Sequence, residues 1–246
     1  NIIPLHKPSL SKNDIKAAVK VLESGMLVMG KKTLEFEKLA SKYIGTGLTQ
    51  SVALNNGTST MLLALKALGI KQGDEVIVPA FSYIATANVV ELLGAKPVFV
   101  DIDINTFNID ASKIESKITD KTKAIIPVHE FGLPCDISTV CEIATKYKLF
   151  VIEDAACALG SKFNNQHVGT FGDAGSFSFH PRKNITSGEG GLVTTKNNVL
   201  AKKVRQLLNH GLDPNAIGLN FVEAGFNCRI TDFQSAMLLS QMERIE

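Results

Sequence analysis

The stretch Val76–Val100, VIVPAFSYIATANVVELLGAKPVFV, decides how this chain folds. Val76-Ile77-Val78 is a short apolar run of β-branched residues and reads as a strand. Ile84 to Leu93 reads as a helix, and Pro97 to Val100 as a second strand. The same alternation extends on both sides. Upstream, Val52-Ala53-Leu54 is a strand and Thr58 to Leu68 a helix. Downstream, Ala124 to Val128 is a strand, Ile137 to Tyr147 a helix, and Leu149 to Ile152 a strand ending in Glu153-Asp154. Phe177 and Phe179 alternate with small polar residues as in a strand, Leu192 to Thr194 makes another, and Asn198 to Asn209 is a helix. Short, almost wholly apolar strands joined by helices predict an α/β domain, with a mostly parallel sheet covered by helices on both faces.

The flanks differ. Residues 1–50 read as a peripheral helical segment. Ser11 or Asn13 caps a helix to Leu22 with Ile15, Val19 and Leu22 on one face, and a second helix runs from Lys32 to Tyr43. Between them Gly25–Gly30 is an apolar loop bracketed by glycines. The last segment is a helix capped by Thr231, with no stop signal before Glu246, so the chain is expected to end inside it.

Bulk composition narrows the class. The 246 residues are 45% hydrophobic and 20% charged, with a net charge of +2, ordinary for a globular domain that neither nucleic acid nor a membrane surface would attract. No apolar run approaches the roughly 20 residues of a membrane helix. Asn1–Leu10, broken by Pro4 and Pro8, does not read as a signal peptide. Cys135, Cys141, Cys157 and Cys228 lack the spacing of a metal or redox motif, so free thiols in a reducing cytoplasm are expected.

In an open α/β sheet ligands sit at the carboxyl ends of the strands. Three groups fall there. Asn55-Asn56-Gly57-Thr58-Ser59-Thr60 joins a strand to a helix. Gly57 allows close backbone approach, and the helix start, with Thr58 and Ser59, suits a phosphate, although a plain helix cap would look the same. Asp154 ends an apolar strand, and its carboxylate can pair with a protonated pyridine nitrogen or simply cap the next helix at Ala155. Lys183 lies in Gly172–Gly191, GDAGSFSFHPRKNITSGEGG, with Ser178 nearby as a further phosphate donor. A partly desolvated lysine suits a Schiff base with the aldehyde of pyridoxal phosphate; a solvated loop lysine is the plainer alternative. Tyr83 sits at another strand end, where it can stack on a ring or belong to the core.

Taken in order, NNGTST, VPAFSYIATAN, AKPVFVDID, KAIIPVHEFG, VIEDAACALG, SFSFHPRKNITSGEGG and GFNCRITDFQSA resemble the DegT/StrS sugar-nucleotide aminotransferases across nearly the whole chain. The resemblance implies the fold type I large domain, with a seven-stranded-type sheet and pyridoxal 5'-phosphate as cofactor. It also implies transfer of an amino group from glutamate or glutamine to a keto group of a nucleotide-linked sugar. By motif, Lys183 is the Schiff-base lysine and proton carrier, Asp154 the partner of the pyridine nitrogen, and Tyr83 the stacking aromatic. Thr58, Ser59 and Ser178 hold the phosphate. Asn227 matches an asparagine that reaches a neighbouring subunit's cofactor, implying a homodimer with shared sites.

Three departures accompany the match. Cys157 stands where the family usually has Gln or His facing the cofactor's phenolic oxygen, and Glu130 replaces a usual apolar residue. Residues 1–246 correspond to the large domain alone, whereas family members continue into a smaller C-terminal domain. The same chemistry on a keto-cyclitol or other small ketone, or a truncated non-catalytic homologue, are the alternative readings. Lys183 speaks against a dehydratase branch that carries histidine there. NNGTST lacks the G-x-G-x-x-G of an NAD site.

Overall fold

The computed structural model describes residues 3–4, 6–45, 50–213 and 215–245. In chain order the elements are α1 (Lys12–Ser24), α2 (Lys31–Ile44), β1 (Gln50–Leu54), α3 (Gly57–Ala67), β2 (Glu75–Pro79), α4 (Ala85–Glu91), β3 (Lys96–Val100), β4 (Thr122–Ile125), α5 (Ile137–Tyr147) and β5 (Phe150–Asp154). A two-stranded ribbon comes next, β6 (Lys162–Phe163) with β7 (Gln166–His167). Then come β8 (Ala174–Ser178), β9 (Gly191–Thr195), α6 (Asn198–Leu208) and α7 (Asp232–Met242). Seven strands form one sheet in the order β1-β9-β8-β5-β4-β2-β3. Every pairing is parallel except those of β9, which runs against both β1 and β8. The carboxyl ends of the six other strands therefore lie along one edge, joined there by Gly191 at the start of β9, which pairs with Leu54 and Ser178.

The strands are apolar on both faces because both faces are covered. Val52, Leu54, Val76, Val78, Ala124 and Ile152 pack under α3, α4 and α6. Their alternates face the other way: Ala53, Phe177 and Leu192 toward α2 and α7, and Ile77, Ile125 and Val151 toward α5. Side chains alternate across a strand, so one apolar run supplies two layers of core.

Three expectations change. The α1 face made of Ile15, Val19 and Leu22 is exposed, while Asp14 and Val21 are buried. Asp14 closes a capping box with Ser11 and accepts from Arg244 at 2.7 Å, and this ion pair turns the Asp14 side of α1 toward the end of α7. β4 covers Thr122–Ile125 where the strand was expected over Ala124–Val128. Pro127 has no N–H to extend the ladder, and Val128 returns only as a single bridge to Asp154. The last helix stops at Met242 instead of running through the final residue: Arg244 N–H bonds back to Gln241 C=O in a tighter turn, and the Arg244 guanidinium reaches Ser9 and Asp14. Residues 1, 2 and 5 and Glu246, on which the leader and chain-end readings partly rest, lie outside the described residues.

Candidate active site

The carboxyl edge of the sheet gathers most of the residues singled out in the sequence. β1 ends at Leu54, and the turn through Asn55 and Asn56 enters α3. Asn56 Oδ1 caps α3 by accepting from Ser59 N–H at 2.8 Å. Gly57 is buried against the end of β8: a Cβ there would lie 2.8 Å from Ser178 Cβ, closer than real side chains approach. Gly191 is held in the same way, since its Cβ would meet Asn56 C=O at 2.5 Å. These two glycines let the start of α3, the end of β8 and the start of β9 converge. Thr58 is exposed and Ser59 half-buried at that start. The result is a cradle of hydroxyls beside a helix N-terminus, a setting that favours an anion.

Lys183 lies beyond β8 in a loop tied at several points. Phe179 N–H donates to Gly190 C=O at 2.8 Å, Thr186 Oγ1 to Phe179 C=O at 2.7 Å, and Asn184 Nδ2 to Leu159 C=O at 3.0 Å. The Gln241 amide clamps Thr186 from α7, accepting from its N–H at 2.9 Å and donating to its C=O at 2.7 Å. From this support the half-buried Lys183 places Nζ 2.9 Å from Cys157 Sγ. The lysine is thus an integrated part of the edge, unlike a solvated loop residue.

Asp154 ends β5 and is buried. Oδ2 accepts from Thr86 Oγ1 at 3.0 Å, and Oδ1 accepts from Ala156 N–H at 3.2 Å. Burial pushes its carboxyl above the usual aspartate range, an effect partly offset by those two hydrogen bonds and by the charge of Lys183. Among the described residues it has no ion pair. A buried carboxylate without a cation is costly, so this site suits a protonated ring nitrogen. The cradle, the unpaired carboxylate and the lysine together fit pyridoxal phosphate.

Two expected residues stand further out. Tyr83 is 77% exposed, two residues before α4, where its C=O accepts from Thr86 N–H at 3.1 Å. The core alternative for Tyr83 is therefore wrong. Asn227 is exposed, but its segment runs beside the cradle: Cys228 C=O accepts from Asn55 N–H at 2.9 Å, and Asn227 bridges Asn209.

Sequence reasoning missed the residues behind this edge. Glu153 is fully buried and accepts four hydrogen bonds: Oε1 from Phe171 and Gly172 N–H at 2.7 and 2.9 Å, Oε2 from Gly169 N–H at 2.7 Å and from His129 Nε2 at 3.1 Å. His129 Nδ1 accepts from Cys135 N–H at 3.2 Å, which assigns the proton to Nε2. Thr86 and Ser82 lie 2.9 Å apart beside Asp154. The only signal for these residues in the chain was a second carboxylate next to Asp154. Alternation along β5 sends Glu153 to the opposite face from Asp154, away from the candidate site.

The fold and this edge define a class, the fold type I aminotransferases. More specifically, the chain belongs to the DegT/DnrJ/EryC1/StrS aminotransferase family, whose profile matches residues 8–246. It is 48% identical to GDP-perosamine synthase of Caulobacter vibrioides over 89% of this chain and 58% of that one. It is 39% identical to UDP-4-amino-4-deoxy-L-arabinose--oxoglutarate aminotransferase of Shewanella sediminis, over 99% of this chain and 64% of that one. A Streptococcus pneumoniae protein assigned as a sugar aminotransferase, solved in its pyridoxamine phosphate form, superposes with a TM-score of 0.93 at 34% identity, covering 99% of this chain and 66% of the other; its pyridoxal phosphate form gives 0.92. The chain thus spans about two thirds or less of the length of these relatives. Among the described residues no helix is long and apolar enough to cross a membrane, and no cluster of His, Cys, Asp or Glu could hold a metal.

Proposed function

We propose that this chain forms the cofactor-binding part of a pyridoxal phosphate-dependent aminotransferase that moves an amino group from glutamate or glutamine to a keto group of a nucleotide-linked sugar. The observation that carries the reading is the meeting, at one sheet edge, of the Lys183 amine, the buried and unpaired Asp154 carboxylate and the Gly57–Ser178 cradle. When bound, pyridoxal phosphate supplies an aldehyde that condenses with amines and a ring that accepts the electron pair released at the neighbouring carbon. The chain supplies the rest. Gly57, Thr58, Ser59 and Ser178 bind the phosphate, and Tyr83 covers the ring. Asp154 keeps the ring nitrogen protonated by giving it a buried counter-charge. Lys183 provides the tethering amine and, when free, a base that moves the proton. Cys157 lies against the Lys183 nitrogen, where the family more often carries Gln or His, and offers a weaker donor.

The relatives' names, which specify GDP- and UDP-linked compounds, support a nucleotide sugar over a cyclitol. The protein is proposed to act as a cytoplasmic homodimer, in which Asn227 of one chain completes the phosphate site of the other. The test is chemical. Borohydride reduction of the protein incubated with pyridoxal phosphate should fix the cofactor on the tryptic peptide containing Lys183, and Lys183→Ala should abolish the adduct. Cofactor recovered on another lysine sinks the assignment. Screening nucleotide keto-sugars with glutamate then tests the substrate class.

A further inference from the structure

Lys183 Nζ lies 2.9 Å from Cys157 Sγ, and the backbone on both sides of this contact is fixed. Ala158 N–H donates to Ala155 C=O at 2.9 Å, and Ala155 N–H to Ser176 C=O at 2.9 Å, so Cys157 sits in a tight turn tied to β8. Gly132 packs on the same turn: a Cβ there would lie 3.0 Å from Cys157 C=O. On the other side, Lys183 N–H donates to His180 C=O at 2.8 Å. The next side chain, Asn184, donates to Leu159 C=O at 3.0 Å and ties the lysine loop to the cysteine turn. The fold itself therefore holds a thiol against the amine.

The other cysteines are placed differently. Cys135 and Cys228 are buried, at 1% and 8% exposure. Burial first, and the Glu153 charge second, push the Cys135 thiol well above its ordinary range and the half-buried Cys141 thiol up to about 11. The thiolate is the form that reacts, so these two are poor nucleophiles. Cys157 is half-buried and within reach of a small molecule. All four thiols are free, and among the described residues the hydrogen-bond partner of Cys157 Sγ is an amine, not a second thiol. A sulfenic acid formed on Cys157 therefore meets a nitrogen nucleophile first. Gln or His, the residues more usual at this position, carry no sulfur to oxidise.

We propose that Cys157 and Lys183 form a peroxide-sensitive switch, in which oxidation of the thiol joins the Cys157 sulfur to the Lys183 nitrogen and withdraws that amine from use. The chemistry takes two steps. In the first, the Cys157 sulfur attacks hydrogen peroxide. An S–O bond forms and the O–O bond breaks; sulfur gives up two electrons, and the second peroxide oxygen leaves as water with the thiol proton. In the second, the Lys183 nitrogen, as the free amine, attacks that sulfur. An S–N bond forms, the S–O bond breaks, and the hydroxyl leaves as water with one N–H proton, with no further change of oxidation state. The product is a sulfenamide, the class of linkage a sulfenic acid makes with a neighbouring nitrogen. Two thiols of a reductant reverse it, returning the Cys157 thiol and the Lys183 amine and leaving as a disulfide. The linkage also keeps the sulfur from going on to the irreversible sulfinic acid. What the switch controls rests on the proposed aminotransferase reading, since one nitrogen cannot hold both the sulfur and pyridoxal phosphate; the formation of the bond does not.

The experiment separates the two. The intact protein, prepared without cofactor, is treated with hydrogen peroxide, digested and mapped by mass spectrometry. The peptides containing Cys157 and Lys183 should appear as one linked species, lighter than their sum by two hydrogens, and dithiothreitol should return both unlinked. Cys157→Ser should abolish the linked species. Wild-type Cys157 recovered instead as the sulfinic or sulfonic acid, or in a disulfide, overturns the proposal, whatever the protein binds. The cofactor provides a second readout. Peroxide-treated protein should lose the borohydride-fixed adduct on Lys183 and regain it after dithiothreitol. Treated protein that fixes the cofactor on Lys183 to the untreated extent refutes the switch. Untreated protein that fixes none would count against the aminotransferase reading, while the linked peptides would still decide the bond.

Discussion

Glu153→Gln is the sharpest test of how this site is held. The side chain is fully buried, and each carboxylate oxygen accepts two hydrogen bonds: Phe171 and Gly172 N–H on one, Gly169 N–H and the His129 ring on the other. Glutamine has nearly the same shape but replaces one of those oxygens with a donor. Whichever oxygen is lost, two buried donors then face an N–H₂ group. A stranded buried donor costs about 1–3 kcal/mol, so the pair costs about 2–6 kcal/mol. Against a typical domain stability of about 5–15 kcal/mol this is a large fraction. For a chain of this size each kcal/mol moves Tm by about 2–4 °C, so the variant should melt about 4–24 °C lower. The assay is thermal unfolding of the cofactor-free proteins followed by far-UV circular dichroism. As a control, Lys183→Ala should move Tm far less, because among the described residues its half-buried amine hydrogen-bonds only the Cys157 thiol, a weak acceptor. A Glu153→Gln variant that melts within about 2 °C of wild type would refute the reasoning. It would mean that the 169–172 turn and His129 are held by something other than this carboxylate.

Asp154→Asn should bind pyridoxal phosphate yet turn over about 10²–10³-fold more slowly, the usual scale for losing one preorganised electrostatic partner; wild-type turnover removes Asp154 from the mechanism. In the cofactor-free protein the same variant has a pH signature. Burial raises the folded-state pKa of Asp154 above 3.8, so stability is lost as pH rises from there through the folded value. The Asn variant should lack that loss and melt above wild type at neutral pH, as urea titrations at several pH values would reveal. Gly57→Ala forces a Cβ to within 2.8 Å of Ser178 Cβ. It should cost about 1–3 kcal/mol in packing and weaken cofactor binding, measured by fluorescence titration; unchanged affinity argues against the cradle. Mixing Lys183→Ala with Asn227→Ala subunits should restore some activity through hybrid dimers with one intact site, and background activity after proven subunit exchange rejects the shared site.

The fold was legible in the chain because its strands are apolar on both faces and its connections are helical. Val76–Val78 and Pro97–Val100 fall within strands of the sheet, and α5 falls on Ile137–Tyr147 as its pattern implies. The chemistry-bearing residues were legible too, since Asn55–Thr60, Asp154 and Lys183 each lie at or beyond a strand end and a parallel sheet brings such positions to one edge. Their environments were not. Ile15, Val19 and Leu22 have the periodicity of a buried face, but the Asp14–Arg244 pair, between residues 230 positions apart, decides which side of α1 is covered. Glu153 and Asp154 are adjacent and chemically alike. Alternation about the β5 axis sends one to a structural clamp and the other to the candidate site, and only the backbone donors and hydroxyls gathered around each decide which is which. Thr86, which hydrogen-bonds Asp154, lies 68 residues away in the chain and carries no joint pattern with it in the sequence. Local periodicity determined the elements, while packing between segments distant in the chain determined which carboxylate is clamped by backbone donors and which is left without an ion pair at the sheet edge.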